Sequence, residues 1–164
     1  MENQVLDAIF NRRSIRRYTD QPVSSDQLDL ILKAGQAAPS AMNQQPWYFV
    51  AIQRKDMIEQ LASLLTENED PYYNAPLLIV VFADKKAYSP VTDAALAIAN
   101  MMLAAQALQL GTCWMITAGT CSIIRSLPDY PPRWACRRTI SASVRWSWAP
   151  RQNSRKRIRS SRKR

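Results

Sequence analysis

The sequence predicts an α+β domain, with helices laid against one central sheet, and three observations predict it. Segments with apolar residues at helical spacing alternate with apolar or aromatic runs of strand length. Capping and breaking residues stand where one pattern gives way to the other. A chain of 164 residues with 47% hydrophobic content is long enough to bury a core.

Residues 3–11 read as a short helix with Val5, Leu6, Ile9 and Phe10 on one face. A basic stretch follows, Arg12, Arg13, Ser14, Ile15, Arg16 and Arg17, and Pro22 breaks the chain. Ser24 and Gln27 spell a capping box for a helix over about 25–37, its apolar face Leu28, Ile31, Leu32 and Gly35. Pro39 ends it. Ser40 to Pro46 is a polar loop rich in Asn and Gln, and Trp47 to Gln53 a strand. Asp56 opens a helix with Ile58, Leu61 and Leu65 inward, and residues 66–76 form a polar loop. Leu77 to Ala83 is a continuous apolar run, so a strand buried on both faces. Residues 92–110 give the longest helix. Its length approaches a membrane span, but Asp93, Asn100, Gln106 and Gln109 interrupt it and alanine dominates, so it reads as a core or interface helix. Gly111 stops it, and Thr112 to Thr117 is a further strand. No helical or strand periodicity is expected in the residues from about 126 onward.

Absences prune the chemistry. Without histidine there is no Ser-His-Asp or Cys-His nucleophile system and no His-based metal site. Gly35, Gly111 and Gly119 are too far apart for a P-loop or a G-x-G-x-x-G fingerprint. Cys113, Cys121 and Cys136 fit no C-x-x-C spacing and read as reduced thiols of a cytoplasmic protein. The N-terminal residues are polar, which reads as no signal peptide. Charge divides the chain. Residues 1–130 hold 13 acidic and 10 basic residues, 10 − 13 = −3, whereas residues 131–164 hold 12 basic residues and no acid.

Three segments carry candidate chemistry. Arg12, Arg13, Ser14 and Arg16 suit a phosphate clamp, because guanidinium groups bind phosphate in bidentate fashion and a hydroxyl adds a neutral donor. The same residues suit a solvated basic turn at a helix C-terminus. The loop from Pro39 to Trp47 suits a site for a flat heterocycle, or a capped polar turn. The segment from Asp93 to Trp114 suits close helix packing, in an interface or an ordinary core.

In order and spacing the three resemble the nitroreductase family. That family opens with R-R-S-x-R, continues with A-P-S-x-x-N-x-Q-P-W, then an A-P-x-L-I-V-V strand, matched by Ala75 to Val81, then the Ala-rich helix ending in L-G-T-C-W. The resemblance runs from about residue 5 to about 115. It implies an α+β fold with a central mixed sheet flanked by helices, assembled as a homodimer. It implies flavin mononucleotide (FMN) as cofactor and NADH or NADPH as donor. Arg12, Arg13, Ser14 and Arg16 would hold the FMN phosphate and ribityl chain. Pro39, Ser40 and Asn43 would reach the ring from the partner subunit, with Gln45 and Trp47 supporting their loop. No side chain is expected to act as catalyst, since flavin takes hydride at its own N5. The implied activity is ping-pong reduction of nitro compounds, quinones or similar small acceptors. Dehalogenases and flavin-cleaving enzymes share the scaffold, but the short stretch from Asp84 to Thr92 leaves little room for a lid, which favours the nitroreductase-like branch.

After Trp114 the resemblance stops. Overlapping the last base of each codon with the first two of the next, Arg133 to Arg137 yields a hydrophobic residue, Gly, a hydrophobic residue, and Ser or Pro. Arg145 to Ala149 yields hydrophobic-Val-hydrophobic-Gly. Both are family segments at the expected separation, so residues 131–164 read as a basic non-family tail made by a frame shift between about 115 and 132. Arg, Trp, Ser and Pro then arise without functional reason. A nucleic-acid-binding arm is the competing reading of such a tail. No specific nucleic-acid partner and no membrane partner are expected, only non-specific attraction to polyanions.

Overall fold

The computed structural model describes residues 3–63, 70–117 and 139–146. Leu65, Cys121, Cys136 and the codon-overlap segment at Arg133 to Arg137 lie outside them.

Helix α1, Gln4–Asn11, starts where the Asn3 side chain accepts from Val5 N (3.0 Å) and Leu6 N (3.2 Å). Its apolar face forms as expected, yet Val5, Leu6, Ile9 and Phe10 stay exposed and only Ala8 is buried. Helix α2, Ser25–Gln36, carries the complete capping box between Ser24 and Gln27. Ile31 and Gly35 are buried, with Leu28 and Leu32 packed beside them. A Cβ on Gly35 would lie 2.9 Å from Met101 Cγ and 3.1 Å from Phe49 Cζ, so glycine lets α2 approach its neighbours closely.

Strand β1, Trp47–Ile52, is followed by α3, Lys55–Ser63, then by β2, Leu78–Ala83. Helix α4, Pro90–Ala107, leads into β3, Leu110–Thr117, and β4 is Thr139–Trp146. The sheet order is β1-β2-β4-β3. The expected mixed sheet is corrected: all three ladders are antiparallel, and the parallel pairing is an isolated bridge from Ser14 to Thr112. Two of the three ladders belong to β4. The α4 crossover leaves β2 and β3 pointing the same way, as strand-helix-strand alternation implies, and β4 enters between them in the opposite direction.

β4 also corrects the expectation that residues after about 126 hold no strand. Its sequence alternates, with Ile140, Ala142, Val144 and Trp146 interleaved by Thr139, Ser141, Ser143 and Arg145. That period of two is a strand signal, overshadowed by the surrounding arginines and tryptophans. A second correction concerns the end of α4. The helix stops at Ala107, Gln109 takes the left-handed turn with φ 61, and Gly111 lies inside β3. The Leu108 N–H, bonded back to Ala104, closes the last turn before any glycine is needed.

β2 is buried on both faces, as its continuous apolar run predicted. Leu77, Ile79 and Val81 pack with Ile31, Ala97, Ile98 and Met101 from α2 and α4. Leu78, Val80 and Phe82 pack on the other face with Ile58, Leu61 and Tyr72. Each such aliphatic or aromatic side chain, fully removed from water, contributes about 1.5–3 kcal/mol. Among the described residues no helix is long and apolar enough to cross a membrane.

Candidate functional site

The basic segment leaves α1 at Arg12, whose N–H closes the helix on Ala8 O at 3.0 Å. It then lies along the start of β3, where Ile15 N donates to Thr112 O at 2.9 Å and Ser14 bridges Thr112. This contact fixes the main chain and leaves Ser14 and Arg16 exposed and Arg12 half-buried. Arg13 behaves differently. Its Nη1 donates to Phe10 O (2.7 Å) and Arg12 O (2.8 Å), so its guanidinium is tied to the end of α1, a favourable place for a cation. Among the described residues no ion pair engages Arg12, Arg13 or Arg16.

The second predicted segment is a strained loop. Met42, Asn43 and Gln45 all have left-handed backbones, with φ of 52, 52 and 47. Such a conformation costs a non-glycine residue roughly 1–2 kcal/mol. The loop is fastened on several sides. Ala41 N donates to Asp93 Oδ1 (3.1 Å), Gln45 N to Ser40 Oγ (2.9 Å), Tyr88 N to Gln44 Oε1 (2.8 Å) and Asp84 N to Pro46 O (2.9 Å). Trp47 is buried at its end and stacks on Phe49 at 6.3 Å. These ties turn the tips outward: Pro39, Met42, Asn43 and Gln45 are exposed and Ser40 is half-buried. A hollow of about 590 Å³ adjoins the loop, lined by Gln44, Gln45, Pro46, Trp47, Asp84, Lys86 and Ala87.

The chain does not bring the two segments together. Ser14 is bound beside the start of β3, just past the C-terminal end of α4, and Ala41 is bound to the first turn of α4. The helix between Asp93 and Ala107 is about 21 Å long at 1.5 Å per residue. The two candidate surfaces therefore lie toward opposite ends of one helix.

Sequence reasoning gave Asp93 no role of its own: it stood as an interruption of an apolar run and as the first residue of the Ala-rich segment. It is 3% exposed, and its Oδ2 has no hydrogen-bond partner among the described residues. Its one signal was an acid in the first turn of an alanine-rich helix. Away from these segments, Arg54 and Asp56 form an exposed ion pair. The Arg54 hydrogen bond holds the Asp56 carboxyl below its ordinary range and raises the guanidinium in return. No group of acids and cysteines able to hold a metal occurs among the described residues, and Cys113 is a buried free thiol.

Comparison with known proteins identifies the family to which this fold belongs. The sequence model described as the Nitroreductase family matches residues 9–70 and 64–132. A protein of Archaeoglobus fulgidus, named as an NADH dehydrogenase/NAD(P)H nitroreductase, is 37% identical over 117 residues, 68% of this chain and 67% of its own length. A protein of the same name from Methanothermobacter thermautotrophicus is 36% identical over 118 residues, 67% of this chain and 59% of its own length. The chain thus spans about three-fifths to two-thirds of these relatives. A solved nitroreductase with bound FMN from Bacteroides fragilis superposes with a TM-score of 0.79 at 25% identity, covering 98% of this chain and 97% of that one. By this sequence match the chain belongs to the nitroreductase family.

Proposed function

We propose that this chain is an FMN-dependent oxidoreductase that takes electrons from NADH or NADPH and passes them, by ping-pong exchange, to nitro compounds, quinones or similar small acceptors. The observation that carries the reading is the pair of half-sites at opposite ends of α4. A two-fold dimer built along α4 sets one copy's N-terminal end beside the other's C-terminal end. The arginine segment of one subunit then faces the Asn/Gln loop of its partner. The exposed apolar residues Val91 and Leu96 on α4, and Val5, Leu6, Ile9 and Phe10 on α1, supply surface for such a contact.

The donor set fits FMN. Arg12 and Arg16 hold the phosphate as charge-assisted donors, Ser14 adds a hydroxyl, and Arg13 stiffens the turn that presents them. Pro39, Ser40 and Asn43 orient the ring from the partner, with Gln45 and Trp47 supporting the loop. Bound FMN supplies the hydride-accepting N5, so the protein needs no histidine and no side-chain base. The reaction takes place in the cytoplasm, where the buried Cys113 thiol stays reduced. Titration of the purified chain with FMN, followed by stopped-flow mixing with NADH and then a nitro acceptor, tests this. Flavin reduction by the donor alone is expected, and a rate that requires both substrates together rules out ping-pong exchange.

We infer further that residues 131–164 form no functional module and that the frame shift costs function. The motive is the charge break at residue 131 together with the two family segments in the overlapping frame. β4 fills the central sheet position from within this tail, and the altered frame changes the residues offered there and after it. A frame-restored chain is expected to be more stable and to bind FMN more tightly. Resequencing should show a one- or two-base discrepancy between codons 115 and 132. DNA that confirms the present frame, with equal FMN affinity in both proteins, removes this reading.

A further inference from the structure

We propose that Asp93 is a positioning residue: its buried carboxylate holds the Ala41 amide and thereby sets the left-handed backbone that presents Asn43. The inference rests on the flavin reading above for its consequence, but not for its geometry.

Asp93 is 3% exposed, and Ala94, Ala97 and Ile98 of the same helix belong to the apolar core. A carboxylate is costly there unless it is bonded. Two features offset the cost. The first turn of α4 is the positive end of an 18-residue helix dipole. The Ala41 N–H lies 3.1 Å from Oδ1, 52 residues away in sequence. Within the helix an apolar side chain would serve the packing equally well, so the acid is explained by the loop it reaches.

That loop needs a strut. Three non-glycine residues, Met42, Asn43 and Gln45, sit at positive φ, and an unrestrained chain would leave that conformation. The Ser40–Gln45 bond is internal to the loop, and the Gln44 bond reaches the exposed Tyr88. Among the hydrogen bonds of the described residues, the Asp93 bond alone ties the loop to α4, at the residue between Ser40 and Met42. Asp93 therefore acts on any ring bound at Ser40 and Asn43 through the backbone, without touching it. Its Oδ2 takes no donor among the described residues, so an amide nitrogen can replace that oxygen without breaking a bond within them.

The test compares the parent chain with Asp93→Asn and Asp93→Ala. Amide hydrogen exchange over residues 41–45 is measured on flavin-free protein, and FMN affinity by titration. Asn keeps an acceptor for Ala41, so both readouts should stay within about threefold of the parent. Ala removes the acceptor, so both should change by about tenfold, equivalent to about 1.4 kcal/mol. The proposal is overturned if Ala matches the parent in exchange and affinity, or if Asn loses as much as Ala. Should the Ala chain not fold, Ala41→Pro removes the donor instead, at a position preceded by the extended Ser40. A folded Ala41→Pro chain with parent affinity also overturns it. If the parent binds no FMN, the flavin reading fails while the exchange result still decides the role of Asp93.

Discussion

The two half-sites are held in opposite ways. The arginine segment rests on β3 through the Ser14–Thr112 bridge and leaves Arg12 and Arg16 without an ion pair among the described residues. The Asn/Gln loop is fastened at Ala41, Gln44, Gln45 and Pro46, and carries three left-handed residues. On the proposed flavin reading, the difference suits the chemistry each would do. A phosphate is a diffuse double charge that a guanidinium finds over several ångströms, so reach matters more than placement. A ring edge is met by amides whose hydrogen bonds weaken steeply off-axis, so placement has to be set in advance.

Complementation gives the largest effect and bears on whether the halves belong to different subunits. Arg12→Ala and Asn43→Ala chains, each nearly inactive alone, should regain activity when mixed and allowed to exchange, because each heterodimer keeps one site free of both changes. Well-exchanged mixtures that stay inactive would break the cross-subunit arrangement. Next in size is Arg16→Ala, which removes one charge-assisted contact of about 1.5–3 kcal/mol. It should weaken FMN while leaving riboflavin, which has no phosphate, nearly unchanged. Equal loss for both ligands would move Arg16 away from the phosphate.

Asn43 sharpens the contrast on the loop side. Asn43→Gly preserves a left-handed backbone at little strain, whereas Asn43→Ala costs about 1 kcal/mol in the same position. Thermal unfolding should therefore rank Gly near the parent and Ala below it, while both variants lose flavin affinity through the missing amide. A Gly variant with full affinity would show that the backbone alone does the presenting. The smallest effect is at the exposed Arg54–Asp56 pair, outside both half-sites. Because the folded Asp56 carboxyl titrates below its ordinary value, its contribution is present at neutral pH and is lost as pH falls through the folded value. Arg54→Ala should lower the melting temperature only slightly at neutral pH, and the difference should vanish in acid or high salt. A difference that grows toward low pH would contradict the sign.

Much of this fold was legible because local signals agreed with it. The Ser24–Gln27 box, the apolar run into β2 and the aromatic β1 each formed within a residue or two of expectation. The two ladders of β4 were not legible, since the alternation of that strand is overshadowed by the arginines and tryptophans around it. The arginine and Asn/Gln segments could be read because their residue types state their chemistry. Asp93 could not, because its role depends on a contact across 52 residues that no spacing rule encodes.

The position of β4 also bears on how the chain reaches its native state. β1 and β2 can pair early, but β2 and β3 each keep an open inner edge until residues 139–146 have been synthesised and threaded between them. Long-range closure of this kind is slow, and unpaired edges are templates for association with other chains. The nascent protein thus passes through a stage at which its continuously apolar strand, β2, is half-dressed until residues 139–146 arrive.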